Sequence, residues 1–209
     1  MALDVEVVRL GAADDDLVDE VVVTTARAFW PDPLFGYFAR NHVHHHGFVP
    51  SVLRPVIADA RGHGEVWVAR TQRGVAGSAS WIAPGMMPRS KGRDLRIARG
   101  ALGAFARGRN RADALRLLGA VDRRHPHEPH WYLALLGVDP RFQRQGVGQA
   151  LVRPVLDRCD EEGLPAYLET QKEENLAFYG RFGFSELHRV ERRGGPPIWL
   201  LWRVPGAAG

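Results

Sequence analysis

Residues 130–138, HWYLALLGV, are apolar at nearly every position, and the stretch that follows, DPRFQRQGVGQALV, turns through two glycines into a helix-like pattern. A run without polar alternation has no face to offer water, so it reads as a central strand covered on both sides, which points to a layered α/β domain. A strand that passes through a tight glycine turn into a helix also leaves backbone N–H groups and the positive end of the helix dipole free to hold an anion. Gly146 and Gly148 lack a Cβ and let the backbone come close to phosphate oxygens, and Arg144 and Gln145 add donors. The segment is not a P-loop, because no GK[ST] follows, and the spacing of Gln143, Gly146 and Gly148 is not the dinucleotide GxGxxG. Taken alone, it suits a plain strand-to-helix turn as well as a phosphate site.

The rest of the chain alternates between the two periodicities. DVEVVRLG reads as a strand and DDDLVDEVVVTTARAFW as a helix with acidic cap candidates. An aromatic cluster follows at Phe29, Trp30, Phe35, Tyr37 and Phe38, and VPSVLRPVIADAR reads as a second helix after a polar loop of histidines. EVWVART and GVAGSASWIAP form a hairpin about Gln72, Arg73 and Gly74. Residues 84–124 read as a helical insertion with Leu95, Ala98, Leu102 and Phe105 on one face. Pro154 should kink the helix that begins at residue 146. AYLETQ is a second buried strand, ENLAFYGRF a short helix stopped by Gly183, and FSELHRVE and PIWLLWRV are the closing strands.

A chain of 209 residues with 45% apolar residues suits a single domain spanning 1–209. The net charge of +4 is local, since residues 89–124 hold eleven Lys/Arg against three Asp. No aromatic interleaving or zinc pattern accompanies them, so a solvated helix face is expected rather than a nucleic-acid surface. One cysteine, Cys159, leaves no disulfide framework. With no signal-like or membrane-length apolar run, a cytoplasmic protein without a membrane partner is expected, as a monomer or homodimer.

LLGVDPRFQRQGVGQALV resembles the acetyl-CoA motif of the GNAT N-acetyltransferase superfamily, with Gln143, Gly146 and Gly148 at its Q/R-x-x-G-x-G/A positions. LETQKEENLAFYGRFGF is similar to that family's later motif, an Asn-x-x-Phe-Tyr helix after a strand, in the right order and at the right separation. The resemblance covers residues 65–204 well and, within the superfamily, is nearest to puromycin N-acetyltransferase-like members. It implies an α+β fold: a twisted mixed sheet of about seven strands flanked by helices, an insertion at 84–124 and an acetyl-CoA-binding core at 125–190. Strands 130–138 and 166–171 would splay to admit pantetheine. Leu136 and Val138 would bind it through their backbone, with Gly137 marking a bulge. The amides of Arg144, Gln145, Gly146, Val147, Gly148, Gln149 and Ala150 would hold the pyrophosphate, and Asn175, Phe178 and Tyr179 would complete the acetyl-CoA site.

Residue chemistry sets the candidate roles. Asn175 and Tyr179 stand four apart on one helix face. A phenol with a pKa of about 10 is protonated at neutral pH and can reprotonate a leaving thiolate, which makes Tyr179 the candidate acid and a packed core tyrosine its alternative. Asn175 could instead cap the helix. Glu169 lies in an apolar strand, where a carboxylate is either a structural ion-pair member or a tuned base. His130 is the second candidate base. His42, His44, His45 and His46 crowd one segment and cannot easily close a metal site, so no metal is expected. The expected activity is transfer of acetyl from acetyl-CoA to a primary amine of a small, aromatic or aminonucleoside-like acceptor, by direct attack in a ternary complex. A protein amine as acceptor and a non-catalytic acyl-CoA sensor are the alternatives.

Overall fold

The computed structural model describes residues 4–207 other than 109 and 193, with the side chains of residues 104 and 105 also outside the description. Seven strands make one sheet: β1 (Glu6–Arg9), β2 (Gly64–Thr71), β3 (Gly74–Ile82), β4 (Trp131–Val138), β5 (Ala166–Thr170), β6 (Ser185–Val190) and β7 (Ile198–Arg203). Their order is β1-β2-β3-β4-β5-β7-β6. Each neighbouring pair is antiparallel except β4 and β5, which run parallel. Seven helices accompany them among the described residues: α1 (Asp15–Ala28), α2 (Pro33–Phe38), α3 (His42–His63), α4 (Lys91–Arg107), α5 (Arg111–Asp122), α6 (Val147–Glu162) and α7 (Glu174–Gly180).

The central strands are apolar throughout because each of their faces meets a separate core. On one side Val21 of α1 and Phe48, Leu53 and Ile57 of α3 bury against Val68, Ile82, Tyr167 and Leu200. On the other, Leu151, Val155 and Cys159 of α6 cover Ala79, Trp81 and Leu168. Strand β4 changes parity between them. Trp131 and Leu133 face the α6 side and Tyr132 the α1 side, yet Leu135 again faces α1 and Leu136 and Val138 face α6. The cause is a bulge: Trp81 pairs with Leu133 and Ser80 with Leu135, so Ala134 is the extra residue. The bulge is therefore at Ala134 and not at Gly137. Gly137 pairs regularly with Ser78 and serves a different need, because a Cβ there would lie 3.1 Å from Thr25 Cγ2 and 3.2 Å from Ala28 Cβ of α1.

Two expectations about helices change. The histidine segment is not a polar loop: α3 begins at His42, capped by the Asn41 Oδ1, which accepts the His44 N–H at 2.8 Å. Pro50 and Pro55 lie inside this helix, so the proline that suggests a helix start in the sequence is an interior residue. Helix α6 includes Pro154 and ends at Gly163, whose φ of +69° closes it.

The second change concerns the insertion, which is two helices. In α4 the inward face carries Arg93, Ile97 and Ala101, while Leu95 and Leu102 are 60% and 63% exposed. Phe105, read on the same face as Leu95 and Leu102, lies outside the described side chains. A buried ion pair sets this rotation. Arg93 donates from Nε to Asp59 Oδ1 at 2.9 Å, from Nη2 to Asp59 Oδ2 at 2.8 Å and from Nη1 to the Met86 carbonyl at 2.5 Å. Burial raises the Asp59 pKa, and the hydrogen bonds and charge of Arg93, with Arg89 and His63, more than reverse this and hold it below the ordinary carboxylate range.

Removing one partner of a buried pair strands the other. Arg93→Met is expected to cost about 3 kcal/mol in denaturant unfolding. The Asp59→Leu/Arg93→Met double variant should recover much of that loss, since it leaves no carboxylate without its arginine.

Candidate active site

Strands β4 and β5 pair only at Trp131–Ala166, Tyr132–Tyr167 and Leu133–Leu168. The bulge at Ala134 follows at once, and beyond it the strands part. The Asp139 N–H donates to the Ala76 carbonyl of β3 at 2.9 Å. By the alternation of a strand, the N–H groups of Leu136 and Val138 therefore point the other way, into the space between β4 and β5. This is an open sheet edge inside the protein, which needs a partner for its donors.

The glycine turn caps one end of this space. Arg144 has φ +59° and Gly146 φ +83°, and a residue other than glycine in the left-handed region is uncommon enough to mark a held conformation. Gly146 precedes α6 without a side-chain cap. The Ala150 N–H donates to the Gly146 carbonyl at 3.0 Å. It is therefore already engaged, contrary to its expected place among the phosphate donors, and the first-turn amides left to a ligand are those of Val147, Gly148 and Gln149. The side chains of Gln143 and Gln145 serve the turn itself: each donates from Nε2 at 3.1 Å, to the Val138 and Arg141 carbonyls respectively. Gly148 is glycine because a Cβ would lie 3.3 Å from Phe178 Cζ, where α7 closes on α6.

Asp139, which the sequence reading overlooked, holds this turn. It is 1% exposed and accepts from the Arg141 backbone at 3.0 Å, from Arg141 Nε and Nη2 at 2.9 Å, and from Arg27 of α1 at 3.4 Å. Its signal in the sequence is the Asp-Pro-Arg step after a buried strand, an Asx turn closing a strand end.

On α7 the Asn175 Nδ2 donates to Thr170 Oγ1 at 2.9 Å, and the helix cap is Glu173, so Asn175 ties α7 to the end of β5 and is not the cap. Tyr179 is buried against Phe178 and Phe184. Burial raises its pKa above the usual phenol value. Glu169, on the opposite face of β5, forms the floor of a cleft of about 920 Å3. Its carboxylate accepts from the Tyr132 hydroxyl at 2.8 Å and the Tyr167 hydroxyl at 2.9 Å, with His125 Nδ1 at 3.7 Å. Burial works to raise the Glu169 pKa, and the hydrogen bonds and charge of His125 with the two phenols outweigh it, so the group stays ionised. His130 is 4% exposed and stands behind His125, with Nε2 to Nε2 at 3.2 Å.

The cleft walls are mostly apolar, with Phe35 and Phe38 from α2, Val52 and Val56 from α3, and Ile97, Ala101, Leu115 and Leu118 from α4 and α5, and Arg89, Asp94, Arg111 and Asp122 also line the cleft. Of the aromatic cluster read from the sequence, Phe35 and Phe38 line the cleft, while Trp30 stacks on His45 and His46 at 4.3 and 4.2 Å. Tyr132, Tyr167 and His125 were not foreseen as site residues. They carry no recognised motif: Tyr132 and His125 meet Glu169 from other elements, and Tyr167 stands two residues before it on the same face of β5. Among the described residues no three His, Cys, Asp or Glu side chains are grouped to hold a metal, and no helix is long and apolar enough to cross a membrane.

Residues 86–184 match the acetyltransferase (GNAT) family profile. A stretch of 78 residues is 43% identical to an uncharacterised N-acetyltransferase of Schizosaccharomyces pombe and covers 36% of this chain and 32% of that protein, so the match spans about a third of the curated relative. The fold is similar to the crystal structure of a histone acetyltransferase HPA2 and related acetyltransferase from Corynebacterium glutamicum. That similarity has a TM-score of 0.70 at 24% identity, over 99% of this chain and 98% of that one. It is also similar to a polyamine N-acetyltransferase of Drosophila melanogaster, with a TM-score of 0.61 at 13% identity over 96% and 100%.

The turn has a pH signature. Hydrogen bonds from Arg141 hold the Asp139 pKa at about 2, so its stabilising effect is complete above the unfolded carboxylate value and lost as the pH falls through the folded one. The stability difference between wild type and Asp139→Asn is expected to be constant from about pH 8 to 5 and to shrink between about pH 4 and 2. Urea midpoints measured across that range check it.

Proposed function

We propose that this chain is an acetyltransferase of the GNAT family, whose profile its residues 86–184 match, and that it transfers acetyl from acetyl-CoA to the primary amine of a small, largely apolar acceptor. One observation carries the reading: the open edge between β4 and β5 has unpaired first-turn amides of α6 at one end and a carboxylate-floored apolar cleft beside its other end. A pantetheine diphosphate fits that arrangement, because the edge offers backbone donors that no strand pairs and the start of α6 has no side-chain cap. When bound, acetyl-CoA supplies the activated acyl group and a thiolate leaving group.

In this reading the backbone of Leu136 and Val138 pairs with the pantetheine arm, and one of their N–H groups polarises the acyl carbonyl, a contribution worth a few kcal/mol in comparable sites. The amides of Arg144, Gln145, Gly146, Val147, Gly148 and Gln149 receive the pyrophosphate. Asn175 and Phe178 position α7 against the arm. Glu169 attracts the acceptor ammonium through its charge and takes up the proton that the amine must lose before it attacks. Tyr179 is on the other face of the sheet, so base and acid meet only through the gap, and Tyr179 donates a proton to the departing sulfur. Residues 1–209 then act as one domain, with α4 and α5 as an insertion that walls the acceptor side.

Mostly apolar walls over the Glu169 carboxylate favour an aromatic or aliphatic amine, and aminonucleosides of the puromycin type belong to the same class to be tried. A panel of such amines is tested by thiol release from acetyl-CoA. Acceleration by apolar amines above polyamines supports the reading, and CoA binding without acceleration by any amine would replace it with a non-catalytic acyl-CoA sensor. Tyr179→Phe is expected to lower kcat about 10²-fold while leaving the Kd for CoA unchanged. Because burial raises the Tyr179 pKa, the wild-type enzyme should show no alkaline loss of activity from this group below about pH 10.

A further inference from the structure

Of the Asp, Glu and Arg side chains that line the cleft, Asp94, Arg111 and Asp122 are exposed, whereas Arg89 and Glu169 are only 21% and 17% exposed. A guanidinium and a carboxylate therefore share the inner part of a mostly apolar space. The carboxylate suits an ammonium group of the acceptor, and the guanidinium has no counterpart in a simple amine.

The charge of Arg89, in the loop between β3 and α4, is not consumed by its neighbours. Its Nε donates to Asp59 Oδ2 at 3.3 Å, but the same carboxylate takes shorter hydrogen bonds from Arg93, at 2.9 Å from Nε and 2.8 Å from Nη2. One carboxylate thus faces two guanidiniums, with His63 Nδ1 also 3.3 Å away. The group holds at least one positive charge more than it cancels, and of the two arginines it is Arg89 that lines the cleft. A partly buried guanidinium with an uncancelled charge attracts an anion, and its planar fork matches a carboxylate.

A single phenol links the two charges. The Tyr132 hydroxyl donates to Glu169 Oε2 at 2.8 Å. Burial and the Glu169 charge raise the Tyr132 pKa, and the charge and a hydrogen bond of Arg89 oppose them, which puts the guanidinium at the same hydroxyl. Two hydrogen bonds of about 3 Å each keep guanidinium and carboxylate within about 6 Å of one another. An α-amino acid carries its ammonium nitrogen and its carboxyl carbon two covalent bonds apart, about 2.5 Å. Its ammonium can face Glu169 while its carboxylate faces Arg89, which leaves the apolar walls of Phe35, Val56 and Ile97 to its side chain.

Resting on the acetyl-transfer reading, we infer that the acceptor is an α-amino acid with an aromatic or aliphatic side chain, its carboxylate held by Arg89 and its amine by Glu169. The thioester C–S bond breaks, an amide C–N bond forms at the α-nitrogen, and the product is the N-acetyl amino acid. Arg89 binds the acceptor and decides which acceptor is used. It takes no part in moving the proton.

The test compares phenylalanine and leucine with phenethylamine and isopentylamine, the same molecules without their carboxylates, by thiol release from acetyl-CoA. Phenylalaninamide, which keeps the α-amine and removes the negative charge, stands in for a peptide N-terminus. For wild type, kcat/KM should be at least about tenfold higher for the acids than for the amines and the amide. Arg89→Met should cancel that preference by raising KM for the acids, and Arg89→Lys should keep part of it. The Kd for CoA is the control for folding, and the hydrogen bonds from Arg93 to Asp59 remain in both variants. If wild type uses the amines or the amide as well as the acids, or if Arg89→Met binds CoA and keeps the wild-type preference, the carboxylate site is wrong while acetyl transfer stands. If neither amines nor amino acids accelerate thiol release, acetyl transfer falls and the carboxylate site falls with it.

Discussion

The parting of β4 from β5 is the constraint on which the rest of the structure depends. Three residue pairs join these parallel strands, and the bulge at Ala134 then reverses the facing of every later residue of β4. A sheet does not leave an edge open in its middle without reason, because each unpaired N–H or C=O buried away from water costs free energy comparable to a lost hydrogen bond. Here the opening is braced on all sides: α1 presses on Gly137, α6 starts where the strand ends, and α7 is wedged against Gly148 by Phe178. The cleft and the phosphate-type turn owe their relative positions to that opening.

The same parting explains why charge can be kept in an apolar setting. Glu169 follows directly after the last β4–β5 pair, and burial alone would push it towards the neutral acid. Two tyrosines prevent this, one from each of the parting strands, and their own pKa values are raised in turn by burial and by the carboxylate they serve. The outcome is an acidic floor under apolar walls, suited to an amine with an apolar body. Asp139 and Asp59 solve the same problem with arginines, and both hold backbone or helix geometry around the cleft.

How much was legible in the sequence follows from the range of each interaction. Buried strands, the hairpin and the closing strand pair came from periodicity, and the turn from Gly146 and Gly148, because these depend on backbone conformation over a few residues. The histidine segment was misread because Pro50 mimics a helix start, whereas the side chain of Asn41 sets the true one. Leu95 and Leu102 carry helical spacing but face outward, since the Asp59–Arg93 pair, 34 residues apart in the chain, decides how α4 is rotated.

The sequence by itself determined a GNAT-like strand–turn–helix, with Gly146 free to take a positive φ and Asn175 and Tyr179 on one helix face, since each of these is settled by local sterics. Only the tertiary structure decided that the bulge is at Ala134, that Ala150 is already hydrogen-bonded, and that Glu169 meets Tyr132, Tyr167 and His125. Tyr167 is a near neighbour on the same strand, but Tyr132 and His125 arrive from another strand and a loop up to 44 positions away, and no local pattern records a contact that exists only once the sheet has closed around it.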